Sequence, residues 1–221
     1  MSHAWMWPAL FALGCYHGIN PGMGWLFAVA LGLQEKSERA VFAALPPIAL
    51  GHVVSVGLVV ALAVVAQQTL PPNAVRYGAA ALLVSFGVYR LVRARHVRWV
   101  GMRVGFWGLT AWSFLMATGH GAGLMLLPFL SAAAQPVSVF HMGGMATLHG
   151  ASTTAAASPG IWVGAVAVHT FGYLLTMIAV AWVVFTRLGV KILRTAWFNF
   201  DLAWAIALVL SGALMLLLPR A

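Results

Sequence analysis

Six apolar windows, at residues 5–32, 42–66, 74–93, 104–132, 160–186 and 197–218, take up most of this chain of 221 residues. A helix rises about 1.5 Å per residue, so each window is long enough to cross a hydrocarbon core of about 30 Å. A bilayer offers no water to backbone polar groups, and windows of this length satisfy them internally as α-helices. The chain therefore reads as an all-α membrane protein with six transmembrane helices. Composition agrees: 62% of the residues are hydrophobic and 7% are charged, against roughly a quarter charged in soluble domains. The segments between windows are too short for a separate soluble domain. A formal net charge of +9 would point to nucleic acid in a soluble protein. Here the basic residues sit in short loops and act as topology signals, so the expected partner is the lipid bilayer and not nucleic acid.

Ten of the twelve Lys and Arg residues lie in three alternate loops: Lys36 and Arg39; Arg90, Arg93, Arg95, Arg98 and Arg103; Arg187, Lys191 and Arg194. Only Arg76 and Arg220 fall on the other side. The positive-inside rule makes those loops cytoplasmic and puts both termini outside, as expected for a multi-pass protein of a bacterial inner membrane. Each half has three windows, an odd number, so the halves cross in opposite senses. That is the arrangement of inverted-topology repeats. The repeats are expected at 1–96 and 104–221, joined by a basic cytoplasmic connection at 97–103. The longest loop, 133–159, belongs outside. The single cysteine, Cys15, excludes an internal disulfide.

The first window is interrupted by His17-Gly18-Ile19-Asn20-Pro21-Gly22-Met23-Gly24. Proline lacks a backbone donor and clashes with the preceding turn, so the helix is predicted to break there. A weaker copy, Thr118-Gly119-His120-Gly121-Ala122-Gly123, stands in the fourth window. The first helix of each repeat is thus expected to be discontinuous, and broken helices at membrane depth line substrate sites.

Four histidines lie within windows: His17, His52, His120 and His169. Counted from the window ends, all four come out near the bilayer midplane. Each alone reads as a buried ring bonded to a carbonyl, but polar residues at that depth are costly and mark pathways, and four together point to a ligand site. Asn20 and Met23 are second candidates, the latter through its sulfur. Ser55 and Tyr173 stand one turn beyond His52 and His169. In the 133–159 loop, His141, Met142, Met145 and His149 carry imidazole and thioether groups suited to soft cations. The plainer reading of that segment is an apolar loop against the membrane surface.

Around these residues the sequence resembles the NicO-type nickel/cobalt efflux family of the LysE-like transporter superfamily. The family's first span carries a pattern of the form H-G-L-x-P-G-H, matched by His17-Gly18-Ile19-Asn20-Pro21-Gly22-Met23. Its second span has a histidine in a small-residue, β-branched run, like Gly51-His52-Val53-Val54-Ser55. Its third ends in an aromatic and basic cluster, like Phe86-Gly87-Val88-Tyr89-Arg90. The resemblance covers roughly residues 10–95 and implies a metal exporter in which His17 and His52 contact the ion. Met23 replaces the motif's second histidine, and the loop after the third span is Arg-rich instead of His-rich.

The expected function is a secondary transporter exporting a transition-metal cation through His17, His52, His120 and His169. Nickel, cobalt and copper(I) are the candidate substrates, copper(I) because the inner parts of the spans hold no Asp or Glu to offset a divalent charge, Asp201 lying near the cytoplasmic end of the sixth. Two alternatives stay open: an exporter of a small organic or anionic solute, and a b-type membrane cytochrome whose paired histidines hold haem. An enzyme is not expected, since no carboxylate is set to act as a general base.

Overall fold

The computed structural model describes residues 3–92, 105–129, 159–188 and 200–217, and all of its regular structure among these is helical. Helix α1 is Met6–Ile19, α2 Trp25–Glu35, α3 Glu38–Thr69, α4 Pro72–Val92, α5 Phe106–His120, α6 Pro159–Val183 and α7 Phe200–Leu217. The stretches Glu38–Thr69, Asn73–Val92 and Pro159–Arg187 are long and apolar enough to cross a membrane, which makes this a helical membrane protein. The basic connection at 97–103 lies outside the described residues. So do His141, Met142, Met145 and His149.

The first window forms two helices because Asn20, Pro21 and Gly22 end the first one. The Asn20 side chain accepts from the Gly22 amide at 2.9 Å, and a short 3-10 turn, Pro21–Met23, leads to α2. Carbonyls freed by the break find side-chain donors: Trp25 Nε1 donates to the Ile19 carbonyl at 2.9 Å, and the Tyr173 hydroxyl donates to that of Met23 at 2.7 Å. Irregular backbone at membrane depth is tolerated on that condition. Gly24 closes the turn at φ 129°, where a Cβ would strike Ile48. In the fourth window α5 stops at His120, capped by Gly121 at φ 69°, and a 3-10 turn follows at Leu124–Leu126.

Helix α3 runs for 32 residues and contains Pro46 and Pro47. It is longer than the 42–66 window expected from hydropathy. It begins just after Ser37, where Lys36 in the left-handed region ends α2.

Side chains sort as a bilayer solvent demands. Leu58, Leu62, Trp107, Leu115, Val163, Phe171, Leu210 and Leu217 face outward. The buried polar residues, His17, Asn20, His52, Ser55, Ser113, His120, His169 and Thr170, face inward. Lipid gives apolar side chains no reason to leave it, so helix contacts rest on close backbone approach and interhelical hydrogen bonds.

The main pairings are α1 with α6, α3 with α5, and α4 with α7. Helices α1 and α6 run parallel, with Trp7 against Gly164, Gly14 against the His169 carbonyl, and Gly18 against Tyr173 and Thr176. Helices α3 and α5 are also parallel. Ser113 donates to the Ile48 carbonyl at 2.6 Å, Ser55 and Thr118 share a 2.8 Å hydrogen bond, and Gly123 meets Val59. Helices α4 and α7 run antiparallel: Gly87 packs on the Ala205 carbonyl and Val209, and Gly212 on the Ala80 carbonyl and Val84. Both members of this last pair carry the same pattern, Ala80-x-x-Leu83-Val84-x-x-Gly87 and Ala205-x-x-Leu208-Val209-x-x-Gly212. Exchanging α1 with α5, α3 with α6 and α4 with α7 maps the set of pairings onto itself.

Candidate functional site

Three of the four window histidines meet. His17 on α1, His52 on α3 and His169 on α6 are fully buried. Their ring centroids lie 5.8 Å apart for His17 and His52, 4.8 Å for His17 and His169, and 5.7 Å for His52 and His169. The cluster exists because α1 and α6 approach closely at Gly14, Gly18 and Gly172, where a Cβ would run into the backbone of the partner helix. With larger residues there, His17 and His169 would be held apart. Tyr173 closes one side: its ring stacks on His52 at 3.9 Å and 13° while its hydroxyl holds the Met23 carbonyl. One side chain thus ties the histidine cluster to the helix break.

The ring orientations are partly fixed. His17 Nδ1 donates to the Leu13 carbonyl, one turn back, at 3.0 Å. A carbonyl only accepts, so the proton sits on Nδ1 and the lone pair on Nε2. Neither ring nitrogen of His52 has a hydrogen-bond partner, although the ring is fully buried. The nitrogens of His169 also lack one within normal geometry, the Leu10 carbonyl being its nearby backbone neighbour. Buried imidazoles normally satisfy at least one nitrogen. These spare nitrogens give the cluster its capacity to accept a ligand.

His120 lies beside the break, on the side of Gly22. Its ring lies against Gly22, Nδ1 donates to the Met116 carbonyl at 2.8 Å, and Nε2 is 3.4 Å from Arg90 Nη2. By the same tautomer argument Nε2 carries the lone pair and the guanidinium donates. Asn20 is buried at the break, and its Nδ2 has no partner. Met23 is buried among Trp25, Ile48 and Tyr173, and it contributes a backbone carbonyl to the hydrogen-bonding pattern. Ser55 bonds Thr118 and not an imidazole.

No protein-family model, curated protein or solved structure matches this chain. Chemistry is therefore read from the side chains themselves. Rings that share one ion through nitrogens at about 2.0–2.1 Å have centroids roughly 5 Å apart, which is the spacing in the cluster. Among the described residues, however, no group of three or more His, Cys, Asp or Glu converges closely enough to hold a metal as it stands.

In the sequence Arg90 reads as a topology-setting cation and as part of an aromatic and basic cluster, and neither reading places it beside His120. Its place in a Phe86-x-x-Tyr89-Arg90 cluster at the end of an apolar helix was the available signal. The close glycine approach of α1 to α6 pairs distant segments and has no local signature.

Proposed function

We propose that the chain is a six-span secondary transporter of a bacterial inner membrane, built from two inverted three-helix repeats, that exports a transition-metal cation through the histidine cluster. The observation that carries this reading is the meeting of three fully buried imidazoles from three helices beside a helix break. Leucine would pack those positions in lipid at no cost in desolvation, so polar rings there answer to a ligand. Neutral imidazole suits borderline and soft ions. An Nδ1–H fixed on a carbonyl, as in His17, is how metal-binding histidines are oriented to present Nε2. Protonation of the same rings would compete with the metal, giving a route to proton-coupled release.

The repeat reading draws support from the self-consistent helix exchange and from the pattern shared by α4 and α7. Inverted repeats with discontinuous helices carry substrate at the midplane and work by alternating access. The resemblance of residues 10–95 to the NicO-type family points to nickel or cobalt. The scarcity of carboxylate, only Glu35, Glu38 and Asp201 in the chain, favours ions of lower charge such as copper(I). An organic or anionic cargo is the second reading, favoured by the Arg90 guanidinium beside His120. Haem is served less well, since rings in mutual contact leave no slot for a macrocycle.

The test is uptake of nickel, cobalt, copper(I) and silver into proteoliposomes of defined orientation. Saturable transport of one of these ions, reduced at least about tenfold in His52→Ala and His169→Ala, is expected. Transport of none of them, or transport unaffected by both substitutions, overturns the metal reading.

A further inference from the structure

His17 and His120 hold corresponding places in their helices and differ in what their rings meet. Each stands in the last turn of a helix that ends in a break, each is followed by glycine, and each donates Nδ1–H to the carbonyl one turn back, Leu13 or Met116. The equivalence extends to the neighbouring helix. Cys15 faces Gly172 across α1 and α6, and Thr118 faces Ser55 across α5 and α3. His17 is two residues past Cys15, as His120 is two past Thr118; His169 is three before Gly172, as His52 is three before Ser55. His120 therefore stands in the same helix register to His52 as His17 does to His169. Yet His17 packs on His169 and His52, whereas His120 turns its Nε2 to Arg90.

We infer that His17 and His120 are alternate members of one site: His17 completes the cluster with His52 and His169 in the conformation described here, and His120 replaces it in the opposite-facing state. Arg90 is the latch. Its guanidinium is a tethered cation that occupies His120 Nε2 while His17 holds the cluster, and it lets go when the repeats exchange conformations. The α7 residue matching Arg90, counted from the shared Ala-x-x-Leu-Val-x-x-Gly pattern, is Met215, whose side chain carries no charge; the nearby Arg76 guanidinium is held on the Met215 and Leu216 carbonyls at 2.8 Å. The latch is thus built into one repeat only and biases the resting protein toward the arrangement with His17 inside. This inference rests on the two-repeat transporter reading but not on the identity of the cargo.

Two cargo-free measurements test it. In a Cys15→Ala background reconstituted in liposomes, the pairs His17→Cys with His169→Cys and His52→Cys with His120→Cys are treated with a short bifunctional thiol reagent and read by intact mass. Both pairs should bridge, and adding Arg90→Gln should raise bridging of the second pair at least about threefold while lowering that of the first. Bridging of the first pair alone, or bridging of both pairs in yields that Arg90→Gln leaves unchanged, overturns the exchange. The second measurement keeps all four histidines, so it does not depend on folding of the cysteine pairs. Diethyl pyrocarbonate modification is mapped by mass spectrometry in the wild type and in Arg90→Gln. Exchange predicts that loss of Arg90 uncovers His17, with modification at least about threefold faster. A rise confined to His120, or no change at either residue, makes Arg90 a structural neighbour and overturns the latch. Loss of the metal reading leaves both readouts standing, and failure of both leaves metal binding by His17, His52 and His169 untouched.

Discussion

Tyr173 carries more of the site than any residue outside the histidines. It stacks on His52 and ties down the Met23 carbonyl from a fully buried position. Tyr173→Phe keeps the stack and leaves that carbonyl without its donor, a change expected to cost about 1–3 kcal/mol. A lower thermal midpoint in detergent with the fold intact by circular dichroism is the expected result. Gly24 is the other single residue on which the break depends, because its φ of 129° and the Ile48 side chain both exclude a Cβ. Gly24→Ala should destabilise by roughly 2–3 kcal/mol, measured in the same way. The sequence made His17, His52 and His169 conspicuous as polar residues in apolar windows, and the structure brings those three together. The contact of His120 with Arg90 was not legible, because it brings in a residue from another helix.

At the scale of elements, the break after Ile19 and the end of α5 at His120 fall where proline and glycine were expected to stop a helix. Both are local effects written in local residues. Helix pairing is different: Gly14 meeting the His169 carbonyl and Gly51 meeting the Thr110 carbonyl depend on which distant segment arrives, and a glycine in an apolar run does not name its partner. Ser55 and Thr118 join α3 to α5, with the Thr118 hydroxyl donating to the Phe114 carbonyl and Ser55 donating to Thr118. A double-mutant cycle with Ser55→Ala and Thr118→Val should give a coupling of about 0.6–1.5 kcal/mol, the size of interhelical hydrogen bonds in membranes. A coupling near zero would mean that the α3 and α5 register is held by glycine packing alone.

Across the whole molecule, the proposed two-repeat arrangement draws its strongest support from the place where α4 crosses α7. There Gly87 and Gly212 occupy matching places against Ala205 and Ala80. Gly87→Val and Gly212→Val should therefore lower the thermal midpoint by similar amounts, each by more than Gly57→Val, since Gly57 has open space around it. The shared Ala-x-x-Leu-Val-x-x-Gly pattern was present in the sequence. It goes unnoticed in a reading that follows histidines, because small and aliphatic residues are common in every span. Metal stoichiometry of the purified protein tests the proposed histidine site most directly. After loading with silver, copper(I), nickel or cobalt and removal of excess ion, wild-type protein should retain one ion per chain, and His17→Ala should lose it. Retention of no ion by the wild type, or equal retention by His17→Ala, would contradict a metal site at the histidine cluster.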